Sequence, residues 1–549
     1  MSAPRHILVA VGWPYASGPR HLGHLAGAYL PADIFARYHR LAGNEVLMVS
    51  GSDVHGTPIT VRAENEGVSP QAIVDRYHAE FLEAWEQVGI SWDLYTSTGT
   101  ANHHEVTQDL FRTLADKGFI EARTTEQLFD PEAGRFLPDR YVEGTCPHCG
   151  YEEARGDQCD NCGRQLDPTD LISPKSRFTG ATPELRETNH YFLMLSKFQD
   201  DLLEWLQSRQ GWRKHVLNMA IGFTQEGLQD RAITRDLEWG IAIPEPYDTI
   251  GEGKRIYVWF DAVIGYLSAA KEWAQRSGDP DAWKSWWEDP EAESYYFVGK
   301  DNIVFHTVVW PCQLMGYGGL NLPTDVPANQ FVTFKGDKAS ASRGIGRSIS
   351  WYAERLEPDA LRYALGSVLP EHNDTDISDE QIIRRINDEL VATWGNLVNR
   401  VASMTVKNFD GQVPEPGDLV EEDRAVIAAA DATLDEVGAS IETVELRNAL
   451  RRALEGAQAV NVYLNALEPW KVVKADPERG GTILWTALQA ISGLRVALTP
   501  FLPFTSDRLG AMLGLEPVVD WSRPELPGGH PIGPVEPLFT KLDDEALDE

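Results

Sequence analysis

Hydrophobic positions in the first 118 residues alternate between short apolar runs and longer amphipathic stretches. Apolar runs at 7–11 and 45–50 predict strands, and apolar residues at helical spacing predict a helix over 25–41. A second helix is predicted from Ser69-Pro70 onward, because serine is a favourable N-cap and proline suits the first helical position. This order predicts a parallel sheet covered by helices on both faces.

The pattern changes twice further along the chain. Between 119 and 235, short β-type pieces surround four cysteines and a helix is predicted over 187–207, so we interpret this stretch as an insertion into the sheet domain. Strand patterns return at 255–260, 294–298 and 329–334. Beyond Asp379 an all-helical domain is predicted, because only helical patterns remain, over 380–407, 421–436, 443–466 and 482–498.

Length and charge limit the classes of protein that need to be considered. A chain of 549 residues exceeds what one hydrophobic core supports, so several domains are expected. No run of about eighteen apolar residues predicts a membrane span, and no signal-peptide pattern is visible, so we expect a cytoplasmic protein without a membrane partner. The net charge of −34 repels nucleic acid on average and, taken alone, argues against an RNA partner.

Four of the five cysteines form two C-x-x-C pairs, Cys146 with Cys149 and Cys159 with Cys162. Their four thiolates fill the tetrahedral shell of one Zn²⁺ and leave no open position, so a structural zinc site is predicted. A pair of disulfides or a redox dithiol is the lesser alternative in a cytosolic protein. The fifth cysteine, Cys312, lies in an apolar helical stretch and is expected to be a buried small hydrophobe.

A run of small and polar residues, 12–24, joins the first predicted strand to the helix that follows it. A helix N-terminus presents unpaired N–H groups and a positive dipole end, and both suit phosphate. His21 and His24 are three residues apart and share a face of the first turn, and Gly23 lets a flat base or ribose approach the backbone. This context favours a nucleotide-phosphate site over the alternative, a surface loop with two polar histidines.

A second phosphate candidate follows the strand predicted at 329–334. The segment 334–344, FKGDKASASRG, combines small residues with two lysines and an arginine. A cationic loop of this kind can close over a triphosphate and stabilise charge in a transition state. A surface hairpin is an equally good interpretation of this segment taken alone.

Together these motifs resemble the methionyl-tRNA synthetase family of class I aminoacyl-tRNA synthetases. His21-Leu-Gly-His24 and Lys338-Ala-Ser-Ala-Ser342 are similar to the two signature motifs of that class. The resemblance covers nearly the whole chain and includes the runs Pro14-Tyr15-Ala16, Asp53-Val-His-Gly56, Leu137-Pro-Asp-Arg140, Gly144-Thr-Cys-Pro147, Arg235-Asp236, Tyr257-Val-Trp259, Gly299-Lys-Asp301, Phe305-His306 and Trp310-Pro311. This density of matches is more specific than either signature alone.

The resemblance implies a ligase that activates methionine with ATP and Mg²⁺ to methionyl-adenylate and transfers it to tRNA(Met) in translation. It implies a Rossmann-type parallel sheet split by a zinc-binding insertion and followed by an all-helical anticodon-binding domain, which overrides the argument from net charge. No appended dimerisation module is recognisable, so a monomer with one zinc ion is expected. The implied segments are the two catalytic halves 1–118 and 236–330, the insertion 119–235, the signature loop and linker 331–386, the anticodon-binding domain 387–527, and a proline- and acid-rich tail 528–549 that is expected to pack only partly.

The resemblance also implies roles for single residues. Those implied to act on ATP are His21, Gly23, His24, Lys338, Ser340, Ser342, Arg343 and, in activation, Arg235. Those implied to bind methionine are Trp13, Tyr15, Asp53, Trp259, Ala262, Tyr266 and His306. Those implied to read the anticodon are Asn396, Arg400 and Trp470.

Three positions depart from the family pattern. Ala341 stands where the family's KMSKS loop has its second lysine, Trp13 stands where leucine is usual, and Val263 replaces a usual proline. These departures lead to the hypothesis of a divergent or inhibitor-resistant copy. Two alternative functions stay open: a ligase for a methionine analogue, and a tRNA-binding paralogue that has lost activation.

Overall fold

A computed structural model describes residues 4–334, 337–338 and 347–548, apart from 158, 160, 163 and 165. In these residues the strands β1 to β17 are, in chain order, His6–Val11, Glu45–Ser52, Leu94–Ser97, Ile120–Asp130, Arg135–Phe136, Val142–Thr145, Ala154–Arg155, Ile172–Ser176, Glu184–Leu193, Arg231–Ala232, Thr234–Asp236, Lys254–Ile256, Glu293–Gly299, Ala328–Asn329, Val332–Phe334, Asp337–Lys338 and Thr375–Ile377. The α-helices α1 to α20 are Leu22–His24, Leu30–Leu41, Thr57–Glu66, Pro70–Gln87, Ala101–Asp116, Gln199–Gln207, Lys214–Gln225, Val258–Asp261, Gly265–Ser277, Lys284–Trp287, Trp310–Tyr317, Ile349–Ala353, Pro358–Gly366, Asp379–Arg384, Asn396–Asn408, Glu421–Glu442, Leu446–Leu467, Pro469–Ala475, Pro477–Leu498 and Pro503–Leu513. The π-helical segments are Leu25–Tyr29, Phe305–Val309 and Arg385–Gly395, and the 3₁₀ segments are Asp139–Tyr141, Pro168–Asp170, Leu195–Phe198, Ala262–Ile264 and Lys300–Asn302.

The central sheet has five parallel strands in the order β14-β13-β1-β2-β3. The middle strand β1 is fully buried from Ile7 to Val11, as expected for a strand with helices on both faces. β2 and β3 lie on one side of β1, and β13 and β14 lie on its other side, so the strand order reverses direction at β1. Ligands of such sheets bind beyond the carboxyl ends of the strands at this switch point.

Local signals in the sequence set the ends of the first long helices, and the predicted start at Ser69-Pro70 is confirmed. The Ser69 hydroxyl accepts a hydrogen bond from the Ala72 N–H and caps α4, with Pro70 at its first position. The chain then leaves α4 through Gly89, whose φ of 69° lies in the left-handed region that favours glycine. Gly118 ends α5 in the same way, with a φ of 77°.

The helix predicted over 25–41 differs in detail from the observed one. It begins at Leu22 and passes through the π-helical segment Leu25–Tyr29 before continuing as α2. The Gly27 carbonyl in this wider turn accepts a hydrogen bond from the side-chain amide of Asn329, at 2.9 Å. A π-helical turn inside an α-helix is frequent at functional sites.

The prediction of a helix over 187–207 is wrong in its first part. Glu184–Leu193 forms β9, which pairs antiparallel with β4 along nearly its whole length. The second half of this segment, Thr188 to Phe192, is rich in residues of low helix propensity, and a long ladder of inter-strand hydrogen bonds stabilises it as a strand. The helix begins only at Gln199, as α6.

The strand predicted over 255–260 is also only partly present. Lys254–Ile256 forms β12, which pairs antiparallel with β11 and does not join the central sheet. The chain turns into α8 at Val258, so the apolar run 256–260 belongs to two short elements of different type. An apolar run of this length does not distinguish a strand from a buried helix.

The insertion and the C-terminal region have the predicted character. The cysteine pairs lie beside a small three-stranded sheet, β7-β6-β8, and no strand follows Ile377 in the described residues. Within the described residues one helix, α19, is long and apolar enough to cross a membrane, and 94% of its most apolar window is buried inside the protein, as in the core helix of a bundle. The predicted fold class is therefore confirmed: a parallel α/β sheet, a cysteine-bearing insertion and a helical C-terminal domain.

The acidic tail packs through a few apolar side chains. Leu538, Phe539 and Leu547 are buried, whereas Asp543, Asp544 and most of their neighbours are exposed. The tail is thus anchored at intervals, in agreement with the expectation that it packs only partly.

A buried ion pair joins the sheet domain to the helical domain. Arg362 on α13 donates to Asp33 on α2 at 2.7 Å, and neither side chain is exposed to solvent. The same guanidinium donates to the carbonyls of Val88, Pro500 and Phe501. Burial would raise the pKa of Asp33, but the neighbouring guanidinium groups and Ser91 lower it to about 2. The pair is therefore charged, and both oxygens of the Asp33 carboxylate accept hydrogen bonds.

We expect the change Arg362→Met to cost about 3 kcal/mol or more of stability, because it leaves three buried carbonyls without their donor and removes a buried charge partner. Urea unfolding followed by tryptophan fluorescence measures this loss. Arg355→Met is the matched control, since Arg355 pairs with Glu354 at the surface, and it is expected to cost less than about 1 kcal/mol. Equal losses in the two variants would contradict the role assigned to Arg362.

Candidate active site

A cavity of about 370 Å³ lies at the carboxyl ends of the central strands. Its walls come from the segments that follow β1, β2 and β13, from α8 and α9, and from two of the π-helical segments. The predicted site residues that line it are Trp13, Tyr15, His21, Gly23, His24, Asp53, Trp259, Ala262, Tyr266 and His306. The structure thus gathers residues separated by almost 300 positions into one cavity.

The two histidines of the first motif hold the start of the helix. The ring Nδ1 of His21 accepts a hydrogen bond from the Gly23 N–H at 3.1 Å, and Nδ1 of His24 accepts one from the His21 N–H at 3.3 Å. The ring centroids are 3.8 Å apart. Both rings are therefore fixed relative to the N-terminus of a helix that continues to Leu41, which is the arrangement that suits an anionic ligand.

A buried carboxyl and an aromatic pair form the adjoining wall. Asp53 is only 3% exposed; burial and, after it, the nearby Asp261 raise its pKa. Trp259 donates from its indole N–H to the Tyr15 hydroxyl at 2.9 Å. A Cβ at Gly56 would lie 2.3 Å from the Tyr15 ring, so the glycine is needed for this close approach. The wall offers one carboxyl group among aromatic faces.

The deeper part of the cavity is neutral. The Tyr266 hydroxyl lies 2.7 Å from Nε2 of His306, and Nδ1 of His306 lies 2.9 Å from the Asn302 carbonyl. Because a carbonyl only accepts, Nδ1 carries the proton and Nε2 accepts from the tyrosine hydroxyl. Burial lowers the pKa of His306 to about 4. This end of the cavity therefore suits an uncharged, polarizable side chain.

Trp13 is accommodated by two glycines. A Cβ at Gly51 would lie 2.0 Å from the Trp13 ring, and a Cβ at Gly265 would lie 2.6 Å from it. The indole therefore occupies a slot that exists only because both positions lack a side chain, and it packs against Tyr266 with the ring centroids 6.2 Å apart. The hypothesis of an inhibitor-resistant copy, which was based partly on Trp13, stays a prediction.

Of the remaining predicted ATP residues, Arg235 is not among those that line this cavity. Arg235 is partly buried, stacks at 3.8 Å over the Tyr257 ring and lies 3.4 Å from Asp139. Lys338 belongs to β16, which pairs antiparallel with β15. Ser340, Ser342 and Arg343 lie outside the described residues.

Two charged residues that line the cavity were not assigned a role from the sequence. Arg140 follows the insertion's first hairpin, and its guanidinium donates to Asp157 at 2.8 Å. Asp301 follows β13. Both belong to sequence runs that carried the family resemblance, so the signal was present, but only the fold brings these positions to the cavity.

The four cysteines of the insertion come together as predicted. All four sulfur atoms lie within 4.8 Å of one another, and the Cys146–Cys162 and Cys149–Cys159 sulfurs are 4.0 and 3.6 Å apart. Four thiolates bound tetrahedrally to zinc at about 2.3 Å have sulfurs about 3.8 Å apart. These distances exceed a disulfide bond, so the cluster fits a metal ion. Cys312 is fully buried, as expected.

The predicted anticodon residues share one surface of the helical domain. Asn396 and Arg400 line a surface cavity of about 450 Å³, and the Arg400 guanidinium lies 5.7 Å from the centre of the Trp470 ring. Asn461 and Asn465, which sequence reasoning missed, accept hydrogen bonds from this guanidinium at 3.0 and 3.2 Å. Trp470 is 37% exposed, which is unusual for so large an apolar side chain.

Two family models match consecutive parts of the chain. The model described as tRNA synthetases class I (M) matches residues 7–402. The model described as the anticodon binding domain of methionyl tRNA ligase matches residues 413–549. Together with the split parallel sheet and its histidine-lined cavity, these matches define the class: the chain is a class I aminoacyl-tRNA synthetase.

Full-length relatives narrow the assignment. The methionine–tRNA ligase of Chloroflexus aurantiacus is 49% identical over 591 residues, covering 100% of this chain and 98% of its own. That of Roseiflexus castenholzii is 50% identical over 582 residues with the same coverage. The crystal structure of Mycobacterium tuberculosis methionyl-tRNA synthetase bound by methionyl-adenylate matches with a TM-score of 0.80 at 27% identity, covering 98% of this chain and 100% of that one.

The chain belongs to the methionyl-tRNA synthetase family. Its activity class, an aminoacyl-tRNA ligase for methionine, follows from the family models and from the relatives. The two alternatives left open by the sequence, a ligase for a methionine analogue and an inactive paralogue, gain no support from these comparisons.

Proposed function

We propose that this chain joins methionine and ATP, which enters with Mg²⁺, to give methionyl-adenylate and pyrophosphate, and then transfers the methionyl group to tRNA(Met). The observation that carries the proposal is the single cavity that combines a histidine-capped helix start, one buried carboxyl and a neutral aromatic end. These three features match a triphosphate, an ammonium group and a thioether. The proposal includes a monomeric chain that acts in the cytoplasm.

In this proposal the phosphate end of ATP meets the start of the helix. His21 and His24 contact the phosphates, and Gly23 leaves room for the adenosine because it has no Cβ. Lys338, with Ser340, Ser342 and Arg343, holds the pyrophosphate as it leaves. Arg235 acts in the activation step from its position beside Tyr257.

Methionine lies across the carboxyl and the aromatic end. Asp53 accepts hydrogen bonds from the ammonium group, because an ionised carboxylate is the natural partner of that charge. Tyr15, Trp259, Ala262 and Trp13 enclose the side chain, and Tyr266 with the neutral His306 faces the thioether, whose sulfur makes favourable contacts with aromatic rings.

The chemistry needs no covalent enzyme intermediate. A carboxylate oxygen of methionine attacks the α-phosphorus of ATP, the bond to pyrophosphate breaks, and later a hydroxyl of the terminal tRNA ribose attacks the acyl carbon and releases AMP. The residues of this cavity hold the reacting groups in place and stabilise the charge that develops on the phosphates.

The cysteine cluster is proposed to hold one structural Zn²⁺. Four thiolates complete its shell, so the ion contributes to folding of the insertion and takes no substrate. Leu128 of β4 packs in one apolar cluster with Cys146 and Cys159, so the proposed metal site adjoins the core of the insertion.

Asn396, Arg400 and Trp470 are proposed to read the anticodon of tRNA(Met). An exposed aromatic ring with a guanidinium beside it offers stacking and hydrogen bonds to unpaired bases. Arg400 is held by Asn461 and Asn465, so a small cationic site persists on a chain of strongly negative net charge.

The first test is ATP–pyrophosphate exchange with methionine, and with leucine, homocysteine and norleucine as competitors. We expect methionine-selective exchange. The change Asp53→Asn is expected to lower kcat/KM for methionine on the order of a hundredfold, which corresponds to about 3 kcal/mol of binding free energy in the transition state. Asp281→Asn, at an exposed position, is the control and leaves exchange unchanged. Exchange that is absent, or that favours another amino acid, would contradict the proposal.

The metal content of the purified protein tests the zinc proposal. We expect one Zn²⁺ per chain, and the double change of Cys149 and Cys162 to serine is expected to remove it, because serine is a poor zinc ligand. Cys312→Ala serves as control and keeps the metal, since this buried cysteine lies outside the cluster. A zinc content that survives the loss of both cysteines would refute the assignment.

Aminoacylation of tRNA(Met) tests the anticodon surface. We expect Arg400→Ala to lower kcat/KM for tRNA roughly tenfold or more, which corresponds to a loss of about 1–3 kcal/mol of binding free energy. Pyrophosphate exchange is expected to be retained. Arg424→Ala, at an exposed position on α16, is the matched control. Equal effects of both substitutions, or an effect of Arg400→Ala on exchange, would argue against a direct contact with the anticodon.

A further inference from the structure

A carboxyl–imidazole pair lies behind the ammonium-binding wall of the cavity. Asp261, the last residue of α8, is fully buried, and its Oδ2 lies 2.8 Å from Nδ1 of His55. Its second oxygen, Oδ1, is buried and has no hydrogen-bond partner among the described residues. His55 is joined to the cavity wall, because its backbone N–H donates to the Asp53 carboxyl at 3.3 Å.

The hydrogen bond between Asp261 and His55 contains one proton, which belongs either to the carboxyl group or to Nδ1 of the imidazole. The polar environment of the two groups determines which of them carries it. An ionised carboxylate with one oxygen lacking a donor pays a large desolvation penalty, whereas the carbonyl oxygen of a protonated acid pays far less. The unpartnered Oδ1 therefore favours the arrangement in which the Asp261 hydroxyl donates to Nδ1. His55 is then neutral and carries its own proton on Nε2.

The neighbouring groups do not supply a compensating positive charge. The titratable groups around the pair and Asp53 are His103 and His104 on α5, Tyr15 after β1, Tyr266 on α9, and Arg140. The Arg140 guanidinium lines the same cavity but pairs with Asp157. Burial lowers the pKa of His104 to about 4 and also lowers that of His103, so both are neutral. In the described part of the chain neither Asp53 nor Asp261 forms an ion pair with lysine or arginine.

We propose that Asp261 is a positioning residue that stays protonated and holds His55, so that the buried wall formed by Asp53, His55 and Asp261 carries one negative charge, on Asp53. This inference rests on the proposed binding of the methionine ammonium by Asp53. Two ionised carboxylates in this buried space would repel each other, and a neutral Asp261 lets Asp53 ionise. The hydrogen bond to His55 also fixes the segment 53–56 that presents Asp53 to the cavity.

Burial supports the same distribution of protons. It raises the pKa of the Asp261 carboxyl and lowers the pKa of His55 to about 3. Both directions favour neutral partners over an ion pair. The pair therefore differs from a carboxylate that supports a catalytic imidazolium.

The isosteric variant Asp261→Asn tests whether a neutral group at this position is sufficient. Its amide N–H₂ can donate to Nδ1 as the protonated acid does, so kcat/KM for methionine is expected to fall by no more than about fivefold. Asp261→Leu removes the donor and is expected to lower it by about thirtyfold or more, with the KM for ATP nearly unchanged. A loss in Asp261→Asn as large as that in Asp261→Leu would overturn the proposal.

The pH profile of kcat/KM for methionine gives a second readout. If Asp261 is already neutral, its replacement by asparagine leaves the acid limb, which reports Asp53, at the same pH. If Asp261 were ionised, removing its charge would lower the pKa of Asp53 and move that limb to lower pH. A move in that direction would therefore refute the proposal.

Infrared spectroscopy tests the proton without relying on activity. The protein with ¹³C-labelled aspartate is expected to show the C=O stretch of a protonated carboxylic acid, which disappears in Asp261→Asn and persists in Asp325→Asn, a half-buried aspartate outside the cavity lining. The absence of that band in the wild type would overturn the inference. If exchange fails while the band is present, the proposed function fails and the proton assignment stands.

Discussion

The buried contact between Arg362 and Asp33 is the constraint on which the geometry of the site depends. Asp33 lies on the continuous helix that starts at Leu22, and Arg362 also binds the carbonyls that precede α20 in the helical domain. Fixing Asp33 therefore fixes the helix whose first turn carries the two histidines. A single guanidinium links the phosphate end of the cavity to the part of the molecule proposed to bind the anticodon. The strength of this link comes from burial, since the same pair at the surface would contribute little.

Within the cavity, burial controls charge. It keeps His306 neutral, and in our proposal it keeps Asp261 protonated, so that Asp53 provides the one negative charge that an amino-acid ammonium requires. A neutral aromatic end next to a single carboxylate is a simple physical basis for selecting methionine over charged or strongly polar amino acids. Trp13 is compatible with this arrangement, because Gly51 and Gly265 provide the space for its ring.

The net charge of −34 is a poor guide to the partners of this chain. A nucleic acid responds to the local field, and the surface at Arg400 combines a cation, an exposed ring and the amide groups of the neighbouring helix. The family model over 413–549 supports an anticodon-binding domain despite the overall charge.

The sequence by itself determined the fold class, the zinc-type cysteine cluster, the start of α4 and ten of the residues that line the cavity, because these rest on local signals: caps, ligand spacing and short motifs. It did not determine β9, which was predicted as a helix, because a strand is stabilised by a partner distant in the chain. It also did not identify Arg140, Asp301, Asn461 or Asp261 as functional candidates. Their importance comes from what surrounds them, and burial, hydrogen-bond partners and the proximity of a second carboxyl exist only once the chain has folded.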